Sequence, residues 1–330
     1  MRILLWHEDT REPGKGGGAE SMLRDQTEAF KRMGHEVAWL HSEHIEQAVS
    51  EFKPDVVQIG TIFHRMPINQ VDYLRNNSIP HVWAVMNYYP FCWGQQMLKK
   101  DDLECGAVTG VCDGICFEGR TPGFFLQYMN QSPILALNSI TADIYKRNGL
   151  RADYVAELGI DTDLFCPDLN ERNADELNIY TSSAWAAFPA KGMRYVKQAI
   201  EGTPYSVSLM TGMPREQVAL GLKRADIYIF PSVYEETWGL CLTEAMASGC
   251  ACITTDNAGG RSQIEDGVTG LIVKKRDAKG LRDAIIRLAE DKQLRERLGA
   301  AAREHVLADH TLEAMGKRYI AIYEQEMARR

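Results

Sequence analysis

The chain has 330 residues, about twice the length of a common domain, so two domains are the first expectation. Hydrophobic residues make up 45% and charged residues 25%, a balance foreign to disordered, fibrous or membrane-spanning chains. Lys and Arg number 37 against 45 Asp and Glu, and the resulting net charge of -8 repels nucleic-acid backbones and anionic bilayers, arguing against both as partners.

The first apolar run, Ile3–Trp6, is shorter than the ~7–15 residues of a signal-peptide core, and no later stretch approaches the ~20 of a membrane span. With eight cysteines besides, this predicts a cytoplasmic protein whose thiols stay reduced. A strand over Arg2–Trp6 leads through a glycine-rich loop into a helix over Ala19–Met33, where Met22, Leu23, Phe30 and Met33 share one face until Gly34 ends it. Further strands fit Glu36–Leu40, Asp55–Ile59, His81–Met86 and Ile134–Leu137, with helices near Ile45–Phe52, Ile68–Asn76 and Thr141–Asn148 between them. This alternation predicts a parallel sheet covered on both faces.

Polar residues and Pro167 over Asp161–Asp175 read as a linker. Beyond it strands fit Asn178–Thr181, Ser206–Met210, Asp226–Phe230, Ala251–Thr255 and Leu271–Val273, interleaved with helices near Lys191–Ile200, Arg215–Arg224 and Leu242–Ser248. From Asp277 the pattern is helical to the end, with Leu281, Ala284, Ile285 and Leu288 on one stripe and Asp277 and Thr311 as N-caps. The predicted fold class is α/β, two doubly wound Rossmann-like domains facing a cleft.

The segment from Pro231 through Glu235, Glu236 and Gly239 to Glu244 leaves a buried strand, crosses a loop and enters a helix. Ligands of open α/β sheets bind beyond the carboxyl ends of the strands, which places Glu236 and Glu244 at such a crevice. Carboxylates there accept hydrogen bonds from vicinal hydroxyls, and free amides at Gly239, Leu240, Cys241 and Leu242 suit a phosphate. Taken alone, the same glutamates also fit a helix-start acid beside a solvated surface acid.

Together with the strand, loop and helix around them, Glu236 and Glu244 resemble the Glu-x7-Glu signature of glycosyltransferase family 4, retaining nucleotide-sugar enzymes of the GT-B fold. The resemblance implies that Glu236 contacts the donor sugar, Glu244 the nucleotide ribose and Lys191, before Gly192, the donor diphosphate. Gly16, Gly17 and Gly18 look like the family's first glycine loop, Gly259 and Gly260 like a second glycine turn near the donor, and Gly159–Pro167 like its hinge segment. The implied division is an acceptor-side domain over 1–165 with a cysteine-rich insertion at 92–116, a donor domain over 166–310, and a last helix, 311–330, crossing back to the first domain. Four segments depart from the family pattern. Ala186 stands where an arginine is usual, with Arg194 and Arg261 as substitutes; Gln58 and Gly60 replace a His-x-His; Met86-Asn87 replaces His-Asp; and Gln263 replaces an acid.

The implied activity is that of a hexosyltransferase. It moves a sugar from a nucleotide diphosphate sugar to a hydroxyl acceptor with retention, a donor phosphate oxygen taking the acceptor proton and no cofactor being needed for catalysis. An epimerase or phosphorylase on the same fold, or a catalytically weak nucleotide-sugar-binding protein, are the alternatives. Cys92, Cys105, Cys112 and Cys116 form a candidate structural zinc site, but without paired C-x2-C knuckles buried or bridged thiols fit as well. Cys166, Cys241, Cys250 and Cys252 are expected to be small core residues.

Overall fold

The computed structural model describes residues 1–7, 17–41, 44–60, 69–88, 90, 123–168, 172, 176–182 and 189–329. Its first sheet contains β1 (Arg2–Trp6), β2 (Glu36–Leu40), β3 (Val56–Ile59), β4 (His81–Val85), β5 (Ile134–Ala136) and β6 (Tyr154–Val155), in the order β2-β1-β3-β4-β5-β6. Every pairing is parallel, with Leu4 opposite Ala38 on one side and Val57 on the other. Parallel strands need crossovers, and these run through α1 (Gly18–Arg32), α2 (Ile45–Phe52), α3 (Asn69–Asn76), α4 (Gly123–Met129) and α5 (Ser139–Arg147). Alternate residues of β1 serve opposite faces, as the pleat requires. Ile3 and Leu5 pack with Met22 and Phe30 of α1, whereas Leu4 and Trp6 pack with Ile45 and Val71.

The second sheet, also parallel throughout, contains β7 (Ile179–Ser182), β8 (Ser208–Met210), β9 (Ile227–Phe230), β10 (Ala251–Thr255) and β11 (Leu271–Val273) in the order β11-β10-β9-β7-β8. Its helices are α6 (Met193–Ile200), α7 (Arg215–Arg224), α8 (Leu240–Ala247), α9 (Ala258–Gln263), α10 (Ala278–Glu290) and α11 (Lys292–Asp309). Strands β9 and β10 are buried at every residue, the pattern of strands covered on both sides. The architecture is the α/β pair of parallel sheets that the alternating pattern predicts.

The helical C-terminal stretch is three helices: Asp277 and Thr311 cap the first and last as expected, and Asp291 starts an unanticipated middle one. Asp277 accepts from Gly280 N at 2.8 Å to start α10, Asp291 from Leu294 N at 2.9 Å to start α11, and Thr311 from Ala314 N at 3.1 Å to start α12 (Leu312–Ala328). Helix α12 lies against α1: a Cβ at Gly316 would come 2.6 Å from Met33 Sδ, so glycine permits the close crossing. Tyr319 donates to Ala156 O at 3.3 Å and Tyr323 to Gln58 Oε1 at 2.7 Å, fastening α12 to the first sheet. The chain thus passes between the sheets twice, near Gly159–Phe165 and at His310–Thr311. The two passes touch, with Ile160 N donating to His310 O at 2.9 Å and no room for a Cβ at Gly159 beside Thr311 O.

Short elements depart from the pattern read in the sequence. Helices α4 and α9 and the two-residue β6 were not foreseen, α8 begins at Leu240 rather than Leu242, and a 3-10 turn over Pro189–Lys191 precedes α6. Among the described residues no helix is long and apolar enough to cross a membrane.

Candidate functional site

The carboxyl ends of both sheets open onto one cleft of about 600 Å³. Gly17 and Gly18 at the start of α1, with Met86 and Asn87 after β4, line one side. Lys191, Arg215, Glu236, Gly239, Leu240, Cys241 and Glu244 line the other. Gly16, Ala186 and the four cysteines Cys92, Cys105, Cys112 and Cys116 lie outside the described residues.

Two glycines bring the second wall together. Gly192, at φ +72°, packs so tightly on the backbone after β9 that a Cβ would fall 1.9 Å from Pro231 O. That approach sets Lys191 beside the Glu236 loop, with Nζ 2.8 Å from Glu236 Oε1 and 3.2 Å from the Tyr234 hydroxyl. Ser232 donates to the same Oε1 at 2.8 Å and Tyr234 to Oε2, so Glu236 is held by three donors. Burial opposes the charge on Lys191, but the adjacent Glu236 carboxylate prevails and holds the lysine above its ordinary range. Gly239, at φ +108° against the Phe230 ring, turns the chain into α8. Leu240 and Cys241 therefore begin a helix facing the cleft. Leu242 does not join them: it is fully buried and its N–H donates to Gly239 O at 2.9 Å, so the expectation that its amide meets a ligand is corrected.

Glu244 stands one turn into α8, 7% exposed, and burial pushes its carboxyl up to about 7 even though the neighbouring Arg215 works to lower it. Arg215, the first residue of α7, places Nε 3.4 Å from Glu244 Oε1. Its two terminal nitrogens form a bidentate pair with Asp25 of α1, both at 2.6 Å. Neither Arg215 nor Asp25 was anticipated. No local motif marks them, yet Asp25 interrupts the apolar stripe of Met22, Ala29 and Phe30, and a charged residue on a buried stripe is the signal that was available. Arg194 and Arg261, the anticipated substitutes for the missing arginine, are not part of the cleft wall. Arg194 stacks on Tyr195 and Arg261 lies 3.9 Å from Glu235.

The loop bearing Glu236 is pinned to the first sheet's side. Thr237 donates to Met86 O at 2.8 Å, and Asn138, the N-cap of α5, donates to Thr237 O at 2.6 Å. Met86 therefore sits where the two walls meet. Gly259 and Gly260 support the loop from behind and do not line the cleft. A Cβ at Gly259 would lie 1.9 Å from Trp238 O and one at Gly260 2.3 Å from Thr254 Oγ1. Gln263 belongs to the same support, donating to Trp238 O at 2.9 Å and accepting from Thr243 at 2.7 Å. Gln58 faces α1 and α12, bonded to Gln26 and Tyr323, and Gly60 packs against the His7 ring. Of the remaining cysteines, Cys250 and Cys252 are buried as expected, Cys241 is half-buried in the cleft wall, and Cys166 is bonded to Asp163 O near the surface rather than in the core.

Comparison with known proteins bears on this arrangement. Residues 196–305 match the family described as Glycosyl transferases group 1. Among curated relatives, a phosphatidyl-myo-inositol mannosyltransferase of Mycobacterium leprae is 36% identical over 88 residues, 27% of this chain and 24% of that protein. The match thus spans about a quarter of that relative's length. Two solved structures cover nearly all of both chains. Sucrose-phosphate synthase from Thermosynechococcus elongatus superposes with a TM-score of 0.76 at 16% identity over 100% of each chain. Anabaena HepE in complex with UDP gives 0.74 at 15% identity, over 98% of this chain and 100% of that one. At such identity these neighbours speak to the fold alone. The chain therefore has the GT-B fold, and its residues 196–305 are similar to the glycosyl transferases group 1 family.

Proposed function

We propose that the protein transfers a sugar, with retention at the anomeric carbon, from a nucleoside diphosphate sugar to a hydroxyl acceptor. The observation that carries this reading is a single wall of the cleft on which the turn ending at Lys191 meets the loop of Glu236 and the start of α8, with the amides of Leu240 and Cys241 and the Glu244 carboxylate. A nucleoside diphosphate sugar needs the same series: a carboxylate for the sugar hydroxyls, a cation and free amides for the diphosphate, and a carboxylate for the ribose. The group 1 match over residues 196–305 and the UDP complex of the structurally similar HepE support the reading.

In this mechanism the diphosphate leaves as the glycosidic bond breaks, and the developing charge falls on Lys191 and the first amides of α8. Lys191 is already charged and oriented by Glu236, so little reorganisation is required. Glu236, held by Ser232 and Tyr234, orients a sugar hydroxyl. A donor phosphate oxygen takes the acceptor proton on the face the nucleotide leaves, and contact between the walls through Thr237 keeps water from competing for the sugar.

The test is incubation with UDP-, GDP- and ADP-sugars and a panel of hydroxyl acceptors, following nucleotide release and the anomeric proton of the product. Acceptor-dependent release with unchanged anomeric configuration is expected. Inversion overturns the retaining claim. A changed sugar without release, release that requires inorganic phosphate, or binding without turnover would instead assign an epimerase, a phosphorylase or a binding protein.

A further inference from the structure

Asp25 is buried, with 3% of its side chain exposed, and it lies on the apolar face of α1 among residues that otherwise serve the core. Its partner is 190 residues away, at the start of α7 in the opposite wall of the cleft. A two-pronged arginine–carboxylate pair is geometrically demanding, and here it joins the two walls of the cleft. The Arg215 guanidinium is fixed a second way, lying over the Phe165 ring with 5.0 Å to the centroid, at the point where the chain passes between the sheets.

The consequence falls on Glu244. Because Asp25 takes both terminal nitrogens, Arg215 presents only Nε to Glu244, at 3.4 Å and without a hydrogen bond. Glu244 thus has a cation beside it that does not occupy its oxygens, and it lines the cleft. A carboxylate this buried tends to take up a proton, and a protonated carboxyl, with one oxygen turned donor, accepts from two neighbouring hydroxyls much more weakly.

We propose that Asp25 and Arg215 are positioning residues of the nucleoside site, Asp25 fixing Arg215 and Arg215 keeping Glu244 charged and free to accept two ribose hydroxyls. The site is then divided between the walls: Asp25 touches no ligand, yet the nucleoside pocket is complete only while α1 is seated against α7. This rests on the reading of Glu244 as the ribose carboxylate. The other groups coupled to the Glu244–Arg215 pair are Asp161 after β6, Tyr228 on β9 and Cys241 on α8, and Arg24 on α1 acts on Asp25. Burial raises Tyr228 and Cys241, which stay neutral near pH 7. The signs that follow are opposite for the two positions. Without Arg215 the Glu244 carboxylate loses its cation and protonates at higher pH. Without the Asp25 charge, Glu244 loses a repelling neighbour and Arg215 is released toward it, so it protonates at lower pH.

Calorimetric titration of the intact chain with UDP, GDP and ADP, using whichever binds most tightly, tests this from about pH 5.5 to 8.5. Wild-type affinity should weaken as the pH falls through the range where Glu244 protonates. Arg215→Met should weaken binding about tenfold at neutral pH and raise the midpoint by about one unit. Asp25→Asn should lower the midpoint while weakening binding at high pH, and Arg215→Lys should restore the midpoint without the full affinity. A purely structural role would reduce affinity without moving the midpoints in opposite directions, and that result overturns the proposal. Glu244→Gln separates the proposal from the reading beneath it. If that variant binds like wild type, or if none of the three nucleotides binds, the ribose assignment fails. If it weakens binding while Asp25→Asn and Arg215→Met match wild type in affinity and midpoint, the proposal fails and the assignment stands. Should Arg215→Met not fold, Asp25→Asn and Arg215→Lys carry the same comparison.

Discussion

Replacing Lys191 by methionine, of similar length and uncharged, removes the cation 2.8 Å from Glu236 and leaves Ser232 and Tyr234 donating to the same carboxylate. Breaking a buried ion pair costs roughly 3–5 kcal/mol when the surviving charge is stranded. Here the Lys191 side chain is 23% exposed, and Glu236 keeps two hydroxyl donors. The loss should therefore be nearer ~2 kcal/mol, a few degrees in the melting temperature of the second sheet's unit. Removing both charges strands nothing, so Lys191→Met with Glu236→Gln should recover ~1 kcal/mol relative to Lys191→Met alone. Catalysis should not recover with it. Loss of a donor aimed at the departing diphosphate costs ~10²–10³ in kcat whichever group stands at 236. Scanning calorimetry on the two single variants and the double variant, beside steady-state rates, reads both quantities. Strictly additive melting shifts would refute the pairing, and a Lys191→Met rate within about threefold of wild type would refute the leaving-group role.

Glu244 titrates near 7 in the folded protein against an ordinary 4.5, burial being the main cause. Its contribution to stability is complete below the unfolded value and is lost, by roughly 3 kcal/mol, as pH rises through the folded value. The wild-type melting temperature should therefore fall relative to Glu244→Gln between about pH 5 and pH 8, and a difference constant with pH contradicts the assignment. Tyr323→Phe removes the donor to Gln58 Oε1 in a buried Tyr323–Gln58–Gln26 series, at a cost of about 1–3 kcal/mol in thermal unfolding. An unchanged melting temperature would show that α12 is not fastened there. Gly259→Ala places a Cβ 1.9 Å from Trp238 O and should displace the Glu236 loop, abolishing turnover. Gly267→Ala, at φ +75° with open space around it, should cost only ~1 kcal/mol and keep full activity.

The strands that were legible in the sequence are those carried by a run of apolar and β-branched residues. Arg2–Trp6, Glu36–Leu40, Ala251–Thr255 and Leu271–Val273 are strands over the residues read from their patterns. The missed elements are too short to carry a pattern and depend on their partners. Tyr154–Val155 is a strand only because β5 lies alongside it. Ala258–Gln263 reads as a glycine turn and becomes a helix because Asn257 accepts from Gly260 N at 2.9 Å and Glu235 from Ala258 N. In the site, Glu236, Glu244 and Lys191 were visible because one motif carries the first two and a Lys-Gly pair the third. Arg215 and Asp25 meet across 190 residues, where no spacing reveals them. Gln58, read as standing in place of a histidine of the family pattern, serves the contact of α1 with α12, a direction set by packing rather than by chain position.

The most direct test of the central claim is a crystal structure of the protein with a bound nucleoside diphosphate sugar. The account predicts both ribose hydroxyls within about 3 Å of the Glu244 carboxylate. It places the diphosphate on Lys191 and the amides of Leu240 and Cys241, and the sugar against Glu236. A nucleotide seated outside the cleft, or one in the cleft whose ribose makes no contact with Glu244, would contradict it.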